Sequence, residues 1–466
     1  MEKREQYKRL IMFLLSLVIL LAETGLFAYT WFNIYSSESI LGQVYWNRGN
    51  WVVVGIYGMQ MWLFSKVYGG YKVGYHKNSD VIYSQILAVL CTNVITCLQL
   101  ALIARWNIHS LLANITPMLV LTLLDIIAVF WWVLAARGVY SVVYPPRHLL
   151  MIHGDINPSL LISKMAARDD KYIIQETIHI NEGVDAIKAK VDEYHAVIIG
   201  DMPVTMRNQL IKYCYSKSIR CYVVPKLSDI MIMNSDSIDL FDTSLMLFRN
   251  RGLTIEQQFV KRLIDIVGAL ALLVLFSPIM VLAALCIKCY DGGPVLYKQA
   301  RLTKDRQVFQ IYKFRSMRVD SEKNGARLAS KNDDRITPVG KVLRRTHMDE
   351  LPQILNILEG SMSIVGPRPE RPELAEKYCE KLPEFDFRLK VKAGLTGYAQ
   401  VFGRYNTTPY DKLKLDLTYI EKYSVWLDIK LILLTVKIFF KKETSEGVDD
   451  GQTTALREED GDKNDR

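Results

Sequence analysis

One apolar run limits the choices for this chain more than any other stretch. Residues 259–289, FVKRLIDIVGALALLVLFSPIMVLAALCIKC, are long enough to cross a bilayer, yet Ser277-Pro278 sits in their middle. A helical proline removes a backbone donor and crowds the preceding turn, so a kink is expected there. Lys261 and Arg262 flank one end and Lys288 the other. Just beyond, residues 298–345 hold fourteen Lys/Arg against five Asp/Glu, a local net charge of +9. If the run crossed, that basic segment would lie outside, against the positive-inside rule. A re-entrant helix–break–helix, entering and leaving by the cytoplasmic leaflet, satisfies both length and charge; a fifth, kinked span is the alternative.

The chain opens with basic MEKREQYKR and runs into apolar Leu10–Phe32. That run is too long for a signal peptide, and no small-residue cleavage site follows it. Trp51–Phe64, Val81–Ala104 and Ile115–Ala136 complete an expected N-terminal four-helix transmembrane bundle over residues 1–140. The run Trp51–Phe64 is short for a span of about twenty residues. Lys66, Lys72 and Lys77 enrich one loop, whereas loops 33–50 and 105–114 hold one Arg each. Both ends of the bundle are therefore expected in the cytoplasm. Glu23 and Asp125 fall within spans, where they are expected at helix–helix contacts or at the interface.

From His148 the pattern changes to short β-rich runs, HLLMIH, YIIQETI, AVIIG and RCYVV, separated by helical stretches. This alternation predicts a small Rossmann-like parallel α/β domain over residues 147–245. Its first turn, Gly154-Asp155-Ile156-Asn157, lacks the later glycines of a dinucleotide fingerprint, so a regulatory or dimer-forming role is favoured and a homodimer becomes conceivable. The seven cysteines form no disulfide or metal framework. Cys286-x-x-Cys289 has no partner pair or nearby His and reads as ordinary buried thiols of a reducing compartment.

The chemistry concentrates in residues 340–372, GKVLRRTHMDELPQILNILEGSMSIVGPRPERP. Thr346-x-x-Asp349 could be a capping box opening the helix of Leu351, Ile354, Leu355 and Leu358. Three neighbours argue for more. Arg344 and Arg345 precede the Asp349-Glu350 pair, Arg368 is bracketed by Pro367 and Pro369, and Lys313 and Arg315 add cations. Two carboxylates among five or more cations suit a divalent ion and the oxygens of a diphosphate.

At these residues the C-terminal half resembles the bacterial sugar transferase family, the monotopic polyprenyl-phosphate phosphoglycosyl transferases. The resemblance rests on KFRSM (Lys313–Met317), LRRTHMDELPQILNILEGSMSIVGPRPE (Leu343–Glu370), KAGLTGYAQVFGR (Lys392–Arg404) and the Ser277-Pro278 break. It covers about residues 255–440, an expected α-rich catalytic domain, and departs where the family has glycines at the positions of Thr303 and Arg306. What it implies is a two-step transfer at the cytoplasmic face. Asp349 would attack the sugar-bearing phosphorus of a UDP-sugar, releasing UMP, and undecaprenyl phosphate would then take the sugar phosphate. The product would initiate capsule, O-antigen or exopolysaccharide assembly.

In that scheme Asp349 and Glu350 would also hold Mg²⁺ and Arg344 a phosphate or lipid headgroup. Arg368 would face the nucleotide, Lys313 and Arg315 further phosphates, and Asp416 would organise the arginines. Membrane lipid is an expected partner and nucleic acid is not. Two other classes remain open: a non-catalytic membrane sensor or scaffold, and a glycosyl transferase that releases UDP. Val425–Phe440 is too short and charged to span and is expected to lie in the interface or pack on the fold. The tail 441–466 is expected to be disordered.

Overall fold

The computed structural model describes residues 7–36, 47–103, 111–156, 158–233, 235–247, 252–318, 335–403 and 407–439. The tail 441–466 and residues 319–334 of the basic segment lie outside them. Two compact units result, Met1–Val224 and Pro225–Arg466.

In the first unit α1 (Lys8–Thr30, continued by a π-helical turn at Trp31–Tyr35), α2 (Asn47–Tyr68), α3 (Asn78–Ile103) and α4 (Leu111–Val143) each pack on their sequence neighbours, and α4 closes on α1. Three of the four are long and apolar enough to cross a membrane; α2, with Asn47, Arg48, Asn50 and Gln60, is not apolar enough. The bundle interior is partly polar. Phe27 stacks on Tyr57 with ring centroids 4.0 Å apart, and Tyr57 donates to Asn93 at 2.9 Å and to Asp125 at 3.3 Å. Asp125 thus ties three helices together, and both it and Glu23 are fully buried in the bundle.

The α/β domain has four parallel strands in the order β2-β1-β3-β4: β1 (Arg147–His153), β2 (Tyr172–His179), β3 (Ala196–Ile199) and β4 (Arg220–Val223). Helices α5 (Ser159–Ala166), α6 (Val184–Val191) and α7 (Val204–Ser216) make the crossovers. Central β3 is buried along its whole length, which is why AVII reads as a continuous apolar run and not an alternating one. Gly154 serves packing: a Cβ there would lie 2.7 Å from the Asp201 carbonyl. The expected boundary at 245 is too late. The sheet ends at Val223, and the next helix, α8 (Leu227–Met233), sends Ile230 into the core of the second unit. A hairpin, β5 (Asp236–Leu240) and β6 (Thr243–Leu247), follows in that unit.

The apolar run 259–289 forms one 37-residue helix, α9 (Ile255–Asp291), opened by a Thr254/Gln257 capping box. The expected break does not end the helix. Pro278 cannot donate to the Val274 carbonyl, but the Ser277 hydroxyl does so instead, at 3.0 Å. Cys286 and Cys289 are exposed on this helix, not buried as expected.

Next come an antiparallel hairpin, β7 (Leu296–Leu302) and β8 (Val308–Phe314), then α10 (Pro338–Arg345), α11 (Gln353–Glu359) and β9 (Ser363–Val365). The chain continues with α12 (Pro372–Lys381), β10 (Gly394–Thr396), α13 (Tyr398–Phe402), α14 (Pro409–Glu421) and α15 (Val425–Phe439). Ile311, Ile354, Ile357, Leu413, Leu417 and Leu431 share one buried core. Leu431 places α15 on the fold, while Trp426 and Val436 stay exposed.

Candidate active site

Asp349 and Glu350 do not open a helix by capping it. Thr346 turns its hydroxyl back to the Val342 carbonyl at 2.8 Å, and His347 follows in the left-handed region at φ 53°. The pair then occupies a single 3₁₀ turn, Met348–Glu350, before Pro352 starts α11. This reversal points the two carboxylates into different environments.

Glu350 is fully engaged. Its Oε1 accepts from Lys313 Nζ at 2.7 Å and from Arg368 Nη2 at 2.9 Å. Burial opposes the Glu350 charge, but Arg368 and Lys313 outweigh it and hold the carboxyl well below the usual range. Asp349 is buried and, among the described residues, has no hydrogen-bond or ion-pair partner. Burial, and then the Glu350 charge, push its carboxyl above the usual range, while Lys313, Arg344 and His347 pull it back. Two adjacent carboxyls driven apart in this way suit different tasks. Glu350 organises cations, and Asp349 keeps a free, poorly solvated oxygen.

The supports explain the placement. Lys313 sits near the end of β8, held in register by Tyr297 across the hairpin. Buried Asn356 joins α11 to β8, accepting from Tyr312 N at 2.9 Å and donating to the Gln310 carbonyl at 2.8 Å. Arg262 of α9 donates to the Ile357 and Leu358 carbonyls at the end of α11, groups that a helix C-terminus leaves unpaired. Asp265 accepts from Ser363 Oγ and Ile364 N, both at 2.9 Å. Lys261 pairs with Asp428 at 2.6 Å, and the Tyr419 hydroxyl donates to the same carboxylate at 2.8 Å. Lys261 and Arg262, the charges at the start of the apolar run, are therefore anchors into the fold.

Arg368 stands half-exposed on a turn whose every carbonyl is held. Gly394 N donates to Pro367 O at 2.9 Å, Arg388 Nη2 to Arg368 O at 2.9 Å, and Arg301 Nη1 to Pro369 O at 3.1 Å. Three glycines let the two backbones cross: a Cβ on Gly366, Gly394 or Gly397 would lie 2.0–2.3 Å from opposing main-chain atoms. Asp416 supports this turn indirectly. Its Oδ2 lies 2.8 Å from Arg388 Nη2, an ion pair without good hydrogen-bond alignment, with both side chains nearly inaccessible. Glu370 meets Arg388 and Lys412 from the other side.

Thus Asp349, Glu350, Lys313 and Arg368 come together, with Arg344 half-buried and near enough for its charge to act on Asp349. Arg315 does not join them: buried, it pairs with Asp291 at the end of α9. Arg301, Glu370, Arg388 and Lys412 were missed. Glu370 closes the GPRPE motif, but nothing around Arg388 in PEFDFRLK marks it. At the two atypical loop positions, Thr303 replaces glycine by bonding the Ser361 carbonyl at 2.9 Å, and Arg306 adopts φ 58° while pairing with Asp386 at 2.5 Å.

A family model described as bacterial sugar transferase matches residues 256–442. The chain is 41% identical over 182 residues to the UDP-N-acetylgalactosamine-undecaprenyl-phosphate N-acetylgalactosaminephosphotransferase of Aeromonas hydrophila, covering 38% of this chain and 43% of that one. A UDP-glucose:undecaprenyl-phosphate glucose-1-phosphate transferase of Escherichia coli (strain K12) is 38% identical over 219 residues, 46% of this chain and 47% of its own. The chain thus spans about half the length of these two relatives. It spans more of a third, the Caulobacter vibrioides protein of the same description, at 41% identity over 181 residues, 38% of this chain and 68% of that relative. Taken with the motifs gathered around Asp349, this coverage means that the chain belongs to the bacterial sugar transferase family.

Proposed function

We propose that this protein transfers a sugar 1-phosphate from a UDP-sugar to undecaprenyl phosphate at the cytoplasmic face of a bacterial inner membrane, through an intermediate on Asp349. One observation carries the reading: of two adjacent carboxylates, Glu350 is spent on Lys313 and Arg368 while buried Asp349 stays unpaired among the described residues. In the first step an Asp349 oxygen bonds the sugar-bearing phosphorus, the diphosphate O–P bond breaks, and UMP leaves with the electron pair. In the second, an oxygen of undecaprenyl phosphate bonds the same phosphorus and the carboxylate is regenerated. This is covalent catalysis by a carboxylate whose burial keeps it poorly solvated. Arg368, fixed by its pinned turn, orients the nucleotide diphosphate, and Lys313 and Arg344 offset phosphoryl charge.

The donor set suits Mg²⁺, which is commonly held by one or two carboxylates together with substrate phosphates and water. Asp349 and Glu350 would hold it, and the ion when bound would neutralise charge on the diphosphate oxygens.

A re-entrant course for α9 accords with where its two halves pack. Lys261, Arg262, Asp265 and Ala269 touch the catalytic core, and so do Ala283 and Ile287, through Phe314 and Leu343. Between them Leu270, Val274, Leu275 and Val281 are exposed. A helix that dips into one leaflet and returns would bury those residues in lipid and keep Asp349 at headgroup depth.

The deciding experiment incubates purified protein, Mg²⁺ and undecaprenyl phosphate with a panel of UDP-sugars and identifies the nucleotide product. UMP is expected; UDP would mean transfer of the sugar alone. With donor but no acceptor, mass spectrometry should find a phosphosugar adduct on the peptide containing Asp349.

A further inference from the structure

The first unit holds a groove lined by none of the residues assigned to the proposed transfer. It is a cavity of about 590 Å³ lined by the start of α1, the end of α2 and Arg220 of β4. One end is cationic: Lys8, Arg9, Lys66 and Arg220 line it, and no acidic residue does among the described residues. The other end is apolar, walled by Met12, Leu17 and Leu20. Two of the cations are held by aromatic rings. Lys8 Nζ donates to the Tyr140 hydroxyl at 3.1 Å and lies 5.1 Å from the Tyr75 ring, and Lys66 Nζ lies 4.7 Å from the Trp62 ring. Nearby, the Lys171 ammonium is lowered by burial first and then by repulsion from Lys8 and Arg168, which marks a local excess of positive charge. From Lys8 to Leu20, α1 rises about 18 Å at its usual pitch. That is close to half of a hydrocarbon core about 30 Å thick.

We propose that this groove binds an anionic phospholipid, its phosphate among Lys8, Arg9, Lys66 and Arg220 and an acyl chain along Met12, Leu17 and Leu20. Charge complementarity selects the headgroup, since clustered basic side chains near a membrane surface favour anionic lipid. Depth selects the tail: the apolar wall matches one leaflet, which suits an acyl chain better than a much longer isoprenoid. The site lies wholly within Met1–Val224 and is independent of the transfer proposed for Asp349.

The test is native mass spectrometry of the delipidated full chain, titrated with phosphatidylglycerol or phosphatidylcholine. One phosphatidylglycerol should bind at least tenfold more tightly than phosphatidylcholine. Arg9→Glu/Lys66→Glu should abolish that preference, whereas Lys72→Glu, the same kind of charge change outside the lining, should keep it. Leu17→Trp, which fills the apolar end, should weaken phosphatidylglycerol binding several-fold with the fold intact by circular dichroism. Equal binding of the two lipids would overturn the proposal, and so would an undiminished preference in Arg9→Glu/Lys66→Glu. Competition by inorganic phosphate alone, or tighter binding of undecaprenyl phosphate than of phosphatidylglycerol, would refute the phospholipid as occupant.

Discussion

Arg388→Leu separates a structural role from a positioning one. The Arg388 side chain is 2% exposed and its partner Asp416 1%. Removing one member of so buried a pair costs about 3–5 kcal/mol, because the remaining charge is stranded. Lys412 still serves Glu370, which argues for the lower end, about 3 kcal/mol. For a unit of this size, that corresponds to a fall in unfolding temperature of roughly 6–12 °C. Replacing both members, Arg388→Leu with Asp416→Leu, should recover most of the loss, since an apolar pair of similar volume is often neutral or better. The double variant still lacks the donor to the Arg368 carbonyl, so KM for the UDP-sugar should rise several-fold with kcat little changed. Thermal unfolding in detergent and steady-state UMP release read the two effects separately. A single variant within about 1 kcal/mol of wild type would refute the electrostatic argument. A stable double variant with normal KM would show that Arg388 does not position Arg368.

Asp349→Asn should abolish turnover and the covalent adduct; full activity in that variant would end the two-step scheme. Because burial raises the Asp349 carboxyl, its reactive ionised form is gained as pH rises, so kcat/KM should climb along a limb lying above the ordinary aspartate value of about 3.9. Glu350 and Glu370 have the opposite sign. Their folded-state values are depressed, so the stability they contribute is present above the unfolded value of about 4.3 and is lost as pH falls below it. Glu370→Gln should therefore flatten the acid limb of the unfolding curve. Pro278→Ala restores the missing backbone donor and should reduce transfer to the lipid acceptor while sparing the single-turnover release of UMP; loss of neither would leave Pro278 without a role in acceptor delivery. Arg306→Gly relieves a left-handed residue, worth roughly 1–2 kcal/mol. It also gives up a half-exposed ion pair worth about 0–1 kcal/mol and adds glycine entropy of about 0.5–1 kcal/mol. Stability should stay within about 1 kcal/mol of wild type, which a chemical melt would check.

Local signals carried much of this reading. Four apolar runs foretold four helices, and the alternation of β-rich and helical runs over 148–224 foretold a parallel sheet. The motif around Asp349 drew attention to Lys313, Glu350 and Arg368, which do converge. What failed was long-range. Whether Lys261 flanks a membrane segment or reaches Asp428, 167 residues away, depends on tertiary packing that no local pattern encodes. Arg388 is silent in sequence for the same reason, and Arg315 looked like a phosphate ligand until Asp291 proved to be beside it. The late boundary at 245 came from extending strand-like composition past Val223, where an antiparallel hairpin of the second unit has similar residues.

The crossing of Gly366 with Gly394 and Gly397 has a consequence for how this site can vary. Arg368 is aimed by missing atoms: a single methyl on any of the three glycines would wedge the strands apart and swing the guanidinium off Glu350. Such a change would substitute no charged residue and would still misplace Arg368, so variants that look conservative on paper deserve the first suspicion here.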